Sequence, residues 1–185
     1  MSGIDYKDIV LRKALPDESD RLYDLVTADE RWTEFNAPYF PYQTPTRDSF
    51  EQGLFQDLLE GRNKKVIEYR SQPVGTVSCY WVDENTRWLE AGIALYDSRQ
   101  WGKGIGKQAL VAWISHLFDT CDIARMGMTT WSGNPGMIAC GESIGFKIEG
   151  RLRRVRYFKG TYYDSIKLGV LREEWQQLYD MTERR

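Results

Sequence analysis

The chain has 185 residues, with 25 basic and 27 acidic side chains, a formal charge of −2 and a pI of about 5.6. That length suits one domain that buries roughly 70% of the surface exposed by its unfolded form, so we predict a single domain over residues 1–185. The near-neutral charge argues against a general affinity for nucleic acid or anionic membranes. Because no apolar run approaches the ~20 residues of a membrane span and no signal-like N-terminus is present, we expect a cytoplasmic protein.

Cysteine and histidine are too sparse to suggest a metal centre. Cys79, Cys121 and Cys140 are odd in number and form no C-x-x-C pair, as expected of reduced thiols. The chain has one histidine, His116, late in a predicted helix, where a half-buried structural histidine is the common case. We therefore expect no zinc or other metal.

The N-terminal third predicts a strand, two helices and an aromatic segment between them. Ile9 to Leu15 predicts the strand, and Pro16 opens a helix that runs to about Thr27. Between Trp32 and Tyr42, five aromatic residues accompany two prolines, which preclude a continuous helix. If these rings are exposed, they would line a pocket for an acceptor substrate. If they are buried, they would form a core flap, a segment that covers the hydrophobic core. A second helix is predicted from Thr44 to Leu59.

The middle of the chain predicts an antiparallel meander followed by one crossover. Its strands cover Lys65 to Tyr69, Gly75 to Val82 and Arg87 to Tyr96, and the last runs straight into a glycine-rich loop. A helix follows from Ile105 and ends by Asp119 to Asp122, and the strand from Arg125 to Thr130 then returns parallel to the third strand.

The last third predicts a short helix from Asn134 to Ile144 and a closing hairpin. The hairpin strands, Phe146 to Tyr157 and Thr161 to Val170, turn around Lys159-Gly160, and a final helix covers Arg172 to Asp180. The order of elements predicts an α/β fold with a mixed, mostly antiparallel sheet and one parallel strand–helix–strand crossover.

The glycine-rich loop lies within Arg99 to Leu110, where Gly102, Gly104 and Gly106 alternate with other residues. Glycines let the backbone turn sharply and aim successive N–H groups at one point, and the following helix adds its dipole, so the loop predicts a pyrophosphate cradle. An ordinary strand-to-helix turn is the alternative. The spacing matches neither the Walker A loop nor the G-x-G-x-x-G dinucleotide fingerprint.

Three linked motifs resemble those of the GNAT-family N-acetyltransferases. They are Trp101-Gly-Lys-Gly-Ile-Gly106, Trp131-Ser-Gly-Asn134 and Ile144-Gly-Phe146. The tail from Gly145 to Arg153 and the segments Tyr163-Asp164 and Leu171 to Trp175 are most similar to the ribosomal-protein alanine acetyltransferase (RimJ/RimL-like) branch. The resemblance spans nearly the whole chain.

The resemblance implies acetyl-CoA as cosubstrate, with no metal. Backbone amides would hold its pyrophosphate at Trp101, Gly102, Lys103, Gly104, Ile105 and Gly106. Pantetheine would enter a gap between splayed strands and pair with the backbone of Ile93, Ala94 and Leu95, where an N–H near Leu95 could act as oxyanion donor. Asn134 would face the pantetheine arm. Trp101 departs from the Gln or Arg that usually begins the family's loop.

Acetyl transfer to an amine needs proton removal, because a lysine-type amine has a pKa of ~10.4 and a peptide N-terminus ~7.7–8.0. Glu90, where histone-modifying members of the family carry their glutamate, is the predicted base, acting through water. Its alternative role is an exposed strand carboxylate, or one paired with Arg87. Many members use a tyrosine as acid where this chain has Gly141, which leaves Cys140, a tyrosine from elsewhere such as Tyr157, or water.

The sequence says less about the acceptor substrate than about the cosubstrate. We assign Trp32, Phe35 and Tyr39 to its pocket. One basic cluster comprises Arg151, Arg153, Arg154 and Arg156. It would bind an acidic substrate or the nucleotide phosphate of CoA, or it would be a solvated hairpin with no binding role. Strand alternation predicts that Arg151 and Arg153 lie on one face of the strand and Arg154 and Arg156 on the other.

The leading hypothesis is an acetyl-CoA-dependent N-acetyltransferase acting on a primary amine of a protein N-terminus or a small molecule. The alternative is a non-catalytic acyl-CoA-binding sensor, because Gly141 stands where many family members have the tyrosine that acts as acid. A ribosome-associated structural factor is disfavoured by the near-neutral charge. A homodimer is possible by analogy with the ribosomal-protein branch.

Overall fold

A computed structural model describes residues 3–179, which contain eight strands joined in the order β1-β2-β3-β4-β5-β6-β8-β7. The strands are β1 (Ile4–Tyr6), β2 (Ile9–Arg12), β3 (Lys64–Tyr69), β4 (Gln72–Asp83), β5 (Trp88–Leu95), β6 (Arg125–Trp131), β7 (Lys147–Phe158) and β8 (Thr161–Leu171). Neighbours are antiparallel in every pair whose register is given except β5 and β6. The predicted mixed sheet with one parallel crossover is confirmed.

Six α-helices lie among the same residues. They are α1 (Ser19–Thr27), α2 (Arg47–Phe50), α3 (Gln56–Glu60), α4 (Ile105–Thr120), α5 (Pro135–Ser143) and α6 (Arg172–Leu178). A π-helical turn, Glu51–Phe55, joins α2 to α3, and 3-10 turns cover Glu30–Glu34 and Ser98–Gln100. None of the helices in this part of the chain is both long enough and apolar enough to cross a bilayer.

The N-terminal strand prediction is wrong in its bounds. The predicted strand Ile9 to Leu15 ends at Arg12, and Ile4–Tyr6 pairs with it as a short antiparallel hairpin. The turn between them places Lys7 at φ 53, so no glycine marked it in the sequence. At the other end, the last helix stops at Leu178, and Asp180 lies outside the described residues.

The described residues cluster into two compact units. The first comprises residues 3–78 and 93–112, and the second comprises 79–92 and 113–179. A single domain over the whole chain therefore stays a prediction. The first unit has a core built from α1, the α2–α3 segment and neighbouring strands, formed by Ala14, Leu22, Val26, Phe50, Phe55, Leu58, Val66 and Tyr96.

The second unit is organised by β6, which pairs with β5 on one side and β8 on the other. The parallel register joins Leu89 to Met126 and Glu90 to Gly127. The antiparallel register with β8 covers all of β6, from Arg125 opposite Leu171 to Trp131 opposite Ser165. This arrangement brings side chains from three separated sequence segments onto one sheet face.

Candidate active site

The glycine loop of the first unit is exposed at Gly102, Lys103 and Gly104. Gly102 and Gly104 have φ +73 and +76, and a Cβ added at either would meet no atom within 4 Å. Left-handed backbone of this kind favours glycine, and α4 begins immediately afterwards at Ile105. The loop therefore has the backbone conformation and the helix start that an anion cradle needs.

Trp101 connects this loop to the strand before it and to the aromatic segment. Its indole N–H donates to the Leu95 carbonyl at 3.0 Å, and its ring meets Phe35 edge-on at 5.5 Å between centroids. The Asp29 carboxylate also accepts from the N–H and hydroxyl of Ser98 at 3.2 and 2.5 Å. The loop is thus in contact with Phe35 of the aromatic segment, and the residues before it are anchored to Asp29, which precedes that segment.

The three residues predicted to line an acceptor pocket have different surroundings. Trp32 donates to the Val26 carbonyl and packs against Tyr96, so it belongs to the core flap. Phe35 is partly exposed and contacts the glycine loop, whereas Tyr39 packs edge-on against Phe40. The aromatic segment is therefore a mixture of core and surface.

The end of β5, the strand that precedes the glycine loop, packs closely against β4. A Cβ on Gly75 would lie 2.2 Å from the Ala94 carbonyl oxygen, and the Tyr96 N–H donates to Val74 at 3.1 Å. Ile93 and Leu95 touch the first turn of α4 near Gly106. Their predicted pairing with pantetheine, and the oxyanion role of the Leu95 N–H, stay predictions.

Glu90 is the centre of a polar cluster in the second unit. Only 1% of the residue is exposed, and its Oε2 accepts from the Tyr80 hydroxyl and from Thr129 Oγ1, each at 2.6 Å. Lys167 Nζ donates to Thr129 Oγ1 at 2.6 Å and lies 3.6 Å from Glu90 Oε1. The alternative of an exposed carboxylate or a partner of Arg87 is wrong, because Arg87 pairs with Asp122.

Sequence reasoning missed the three partners of Glu90 because they come from three other strands. Tyr80, Thr129 and Lys167 lie on β4, β6 and β8, and only the register of the sheet brings them together. Burial and the neighbouring Glu90 raise the pKa of Tyr80, so its hydroxyl stays protonated and donates. Glu90 Oε1 has no hydrogen-bond partner among the described residues.

Two residues from the family motifs have structural surroundings that bear on their predicted roles. The Asn134 side-chain oxygen accepts from the Met137 N–H at 3.0 Å and caps α5, and its predicted contact with pantetheine stays a prediction. A Cβ at Gly141 would lie 3.1 Å from Met128 Cε and 3.2 Å from Leu168 Cδ2. Both distances are tighter than ordinary Cβ contacts, so a larger side chain at this position would require Met128 and Leu168 to shift.

The arginine-rich strand does not alternate as predicted. Leu152 pairs with Ser165 and Arg156 with Tyr163, so three residues of β7 face the single residue Asp164 of β8. Arg154 within this bulge has φ +56. The prediction of two residues on each face fails because the bulge interrupts the two-residue period of the strand.

His116 stacks on Trp113 with ring centroids 5.5 Å apart, which supports a structural role. Among residues 3–179, no group of three or more histidine, cysteine, aspartate or glutamate side chains is arranged to hold a metal ion.

Cys79, which precedes Tyr80 on β4, gives a test of burial in this part of the sheet. Burial, with a smaller effect of Cys121, raises the pKa of the Cys79 thiol to about 11. Since the thiolate is the reactive form, we expect iodoacetamide at pH 8 to alkylate Cys79 about tenfold more slowly than a thiol of ordinary pKa. Mass spectrometry of a timed pulse measures the rate. In urea the difference should vanish, and an equal rate in native protein would contradict the burial.

A glycine-rich loop at a helix N-terminus lies in a mixed sheet with one parallel strand–helix–strand crossover. The family model for the acetyltransferase (GNAT) domain matches residues 8–147. The chain belongs to the GNAT acetyltransferase family, and it is an acetyl-CoA-dependent N-acetyltransferase.

Individual relatives agree with this assignment. The chain is 28% identical over 177 residues to an SPbeta prophage-derived uncharacterized N-acetyltransferase, YokL, of Bacillus subtilis, covering 95% of this chain and 91% of that one. It is 25% identical over 146 residues to the ribosomal-protein-serine acetyltransferase of Escherichia coli, covering 77% and 81%. The solved structure of RimL, a ribosomal L7/L12 alpha-N-protein acetyltransferase in complex with coenzyme A, shares the fold with a TM-score of 0.72, 22% identity and coverage of 92% and 98%.

Proposed function

We propose that this enzyme acetylates the N-terminal amine of a polypeptide, with Glu90 as the group that accepts the amine's proton. The observation that carries the proposal is the buried Glu90 carboxylate, whose Oε2 is saturated by two hydroxyls while Oε1 has no hydrogen bond among the described residues. Two hydroxyl donors fix the orientation of the carboxylate, so the proton is taken at Oε1, directly or through one water.

The nearby ammonium of Lys167 supports an α-amine over a polyamine. Lys167 Nζ lies 3.6 Å from Glu90 Oε1, so the carboxylate's charge is already balanced. An acceptor whose amine is protonated near pH 7.5, as a lysine-type amine with a pKa of ~10.4 is, would be repelled by Lys167 as much as it is attracted by Glu90. An α-amine, with a pKa of ~7.7–8.0, is partly neutral near pH 7.5 and avoids that repulsion. The name of the Escherichia coli relative, a ribosomal-protein-serine acetyltransferase, points the same way.

We also propose that acetyl-CoA binds at the glycine loop. Backbone amides from Trp101 to Gly106 would hold the pyrophosphate, and Ile93, Ala94 and Leu95 would pair with pantetheine, with Asn134 beside it. The left-handed, open glycines and the start of α4 support this assignment. When bound, acetyl-CoA supplies the thioester carbon that the amine attacks. Phe35 and Tyr39 remain the proposed acceptor-side aromatics, whereas Trp32 packs against the core.

The experiment is thiol release from acetyl-CoA in the presence of a panel of acceptors. Peptides with Ser or Ala at the N-terminus should be turned over, while spermidine, an aminoglycoside and free lysine should not. An N-terminally blocked copy of the best peptide that keeps one lysine is the matched control for α-amine selectivity. Turnover confined to polyamines would reject the α-amine, and tight CoA binding with no turnover would favour the acyl-CoA sensor that Gly141 suggested.

We further propose that the protein is a cytoplasmic homodimer, that it acts without a metal, and that it has no nucleic-acid or membrane partner. They rest on the near-neutral charge, on the reduced state expected of the cysteines, and on analogy with the ribosomal-protein branch. Light scattering on the purified protein tests the dimer, and activity in the presence of a chelator tests independence of metal.

A further inference from the structure

A cleft beside the glycine loop is lined by cationic and amide side chains. Its volume of about 410 Å³ lies within the range of ~300–1,000 Å³ that is usual for ligand sites. Six residues of the first unit line it: Tyr69, Arg70, Gln72, Val74, Gln100 and Lys103. Two of these six are cations and none is a carboxylate, so the cleft favours an anionic ligand.

We propose that Arg70 and Lys103 bind the 3′-phosphate of coenzyme A in this cleft. The inference rests on the proposed placement of acetyl-CoA at the glycine loop. Coenzyme A carries its pyrophosphate and its 3′-phosphate on the same ribose, so a site for the third phosphate has to adjoin the pyrophosphate cradle. Lys103 joins the two, because its side chain lines the cleft and its backbone lies between Gly102 and Gly104.

The turn between β3 and β4 places Arg70 at the edge of the cleft. Tyr69 pairs with Gln72, which leaves Arg70 and Ser71 as a two-residue turn with φ 51 and 59. The Arg70 guanidinium lies over the Tyr69 ring, 5.0 Å from its centroid. Stacking restrains the side chain without using its N–H donors, so they remain available to the oxygens of a phosphate.

Lys103 is held on the loop side of the same cleft. Its Nζ donates to Gln100 Oε1 at 3.2 Å, and Gln100 Nε2 donates in turn to the Asp97 carboxylate at 3.3 Å. An ammonium has three donors, and Gln100 takes one of them. Asp97 does not line the cleft and already accepts from the Arg99 guanidinium, so it does not compete for Lys103.

The sheet keeps these two walls of the cleft next to each other. The Tyr96 N–H at the end of β5 donates to the Val74 carbonyl near the start of β4 at 3.1 Å. The β3–β4 turn therefore lies beside the segment that leads into the glycine loop. On its outer side the turn is fixed by Arg21, which donates to the Gln72 side-chain oxygen. The amide N–H groups of Gln72 are then free to serve as further donors.

The two cations suit a phosphate monoester, which carries a charge of about −1.5 to −2 near pH 7. Arginine binds two phosphate oxygens with its planar fork, and lysine adds a compact positive charge. Arg70 and Lys103 are both exposed, so their attraction to the phosphate is screened by salt. The contribution of the cleft should therefore be moderate and should depend on ionic strength.

The test is calorimetric titration of the protein with CoA and with 3′-dephospho-CoA. At low ionic strength we expect CoA to bind about tenfold more tightly, with the preference falling toward unity in about 0.5 M salt. The measurement needs neither an acceptor nor turnover, so it is independent of which amine the enzyme acetylates.

Variants of the cleft make the test specific. Arg70→Gly removes one charge and keeps the left-handed backbone, which glycine adopts without strain, and Lys103→Met removes the other charge while keeping a long side chain. Together they should lower the preference for CoA from about tenfold to below about twofold. Lys159→Gly is the matched control and should keep the full preference. Lys159 is an exposed cation in the β7–β8 turn, with φ 47 and its Nζ 5.2 Å from the centroid of the Phe158 ring.

Each other result has a defined meaning. Equal affinities of the wild-type protein for the two ligands at low salt would overturn the inference and leave the placement of acetyl-CoA at the loop intact. A preference that survives in the double variant, or that falls as far in Lys159→Gly, would also overturn it. An equal loss of affinity for both ligands in the double variant would mean that these side chains do not read the 3′-phosphate. Absence of binding of either ligand to the wild-type protein would overturn the placement at the loop, and the inference with it.

Discussion

Glu90→Gln is expected to lower kcat about 100-fold while leaving the affinity for CoA unchanged. Glutamine has the same shape, and its carbonyl oxygen can still accept from Tyr80 and Thr129 at the positions that the carboxylate occupies. What it loses is the basic oxygen at Oε1, and general base catalysis contributes about 10²–10⁴-fold. Steady-state thiol release with the best peptide, together with calorimetric titration of CoA, measures both quantities.

Glu149→Gln is the matched control for this variant. Glu149 lies on β7 and forms a partly exposed ion pair with Arg125. Its substitution should leave kcat within about twofold, as expected for a weak, exposed ion pair. If Glu90→Gln retained wild-type kcat, Glu90 would be a structural partner of Lys167 and the proton would have to leave the amine by another route.

Gly104→Glu is expected to abolish detectable CoA binding, corresponding to a loss of at least 100-fold in affinity. The glutamate would place a negative charge in the proposed cradle, where it would oppose the pyrophosphate at short range. The fold should persist, because a Cβ at this position meets no atom within 4 Å and the strain of φ +76 costs roughly 1–2 kcal/mol.

Gly160→Glu separates the charge effect from the backbone effect. Gly160, in the turn between β7 and β8, has φ +80 and an equally open Cβ direction. The two variants should therefore show similar losses of thermal stability, whereas CoA affinity should fall only for Gly104→Glu. Undiminished CoA affinity in Gly104→Glu would mean that the loop is an ordinary glycine-rich turn.

The sequence predicted the order of elements well, since most strands and helices have strong local patterns. Local spacing was enough to predict the glycine loop, the parallel return of β6 and the motif ending at Phe146. What local patterns cannot give is register. The two hydrogen-bond donors to Glu90 lie 10 and 39 residues away along the chain, and neither Tyr80 nor Thr129 belongs to a motif.

The β7 bulge was missed for a related reason. A run such as Arg151 to Arg156 reads as regular alternation, and no glycine or proline marks the interruption. The bulge exists because Asp164 on the neighbouring strand captures the Arg154 N–H, a contact between residues that only the hairpin brings together. Strand alternation is a local rule, and here a single cross-strand carboxylate overrides it.

The π-helical turn between α2 and α3 explains how two phenylalanines five residues apart can share one core. Phe50 and Phe55 stack with ring centroids 5.9 Å apart, although a regular α-helix would point them about 140° away from each other. The wider turn absorbs one additional residue, and Gly53 within it has no neighbour within 4 Å of a Cβ position. A homologue one residue shorter here can keep both rings in place with an ordinary helix, so this turn is a point where chain length can change during evolution without loss of the core.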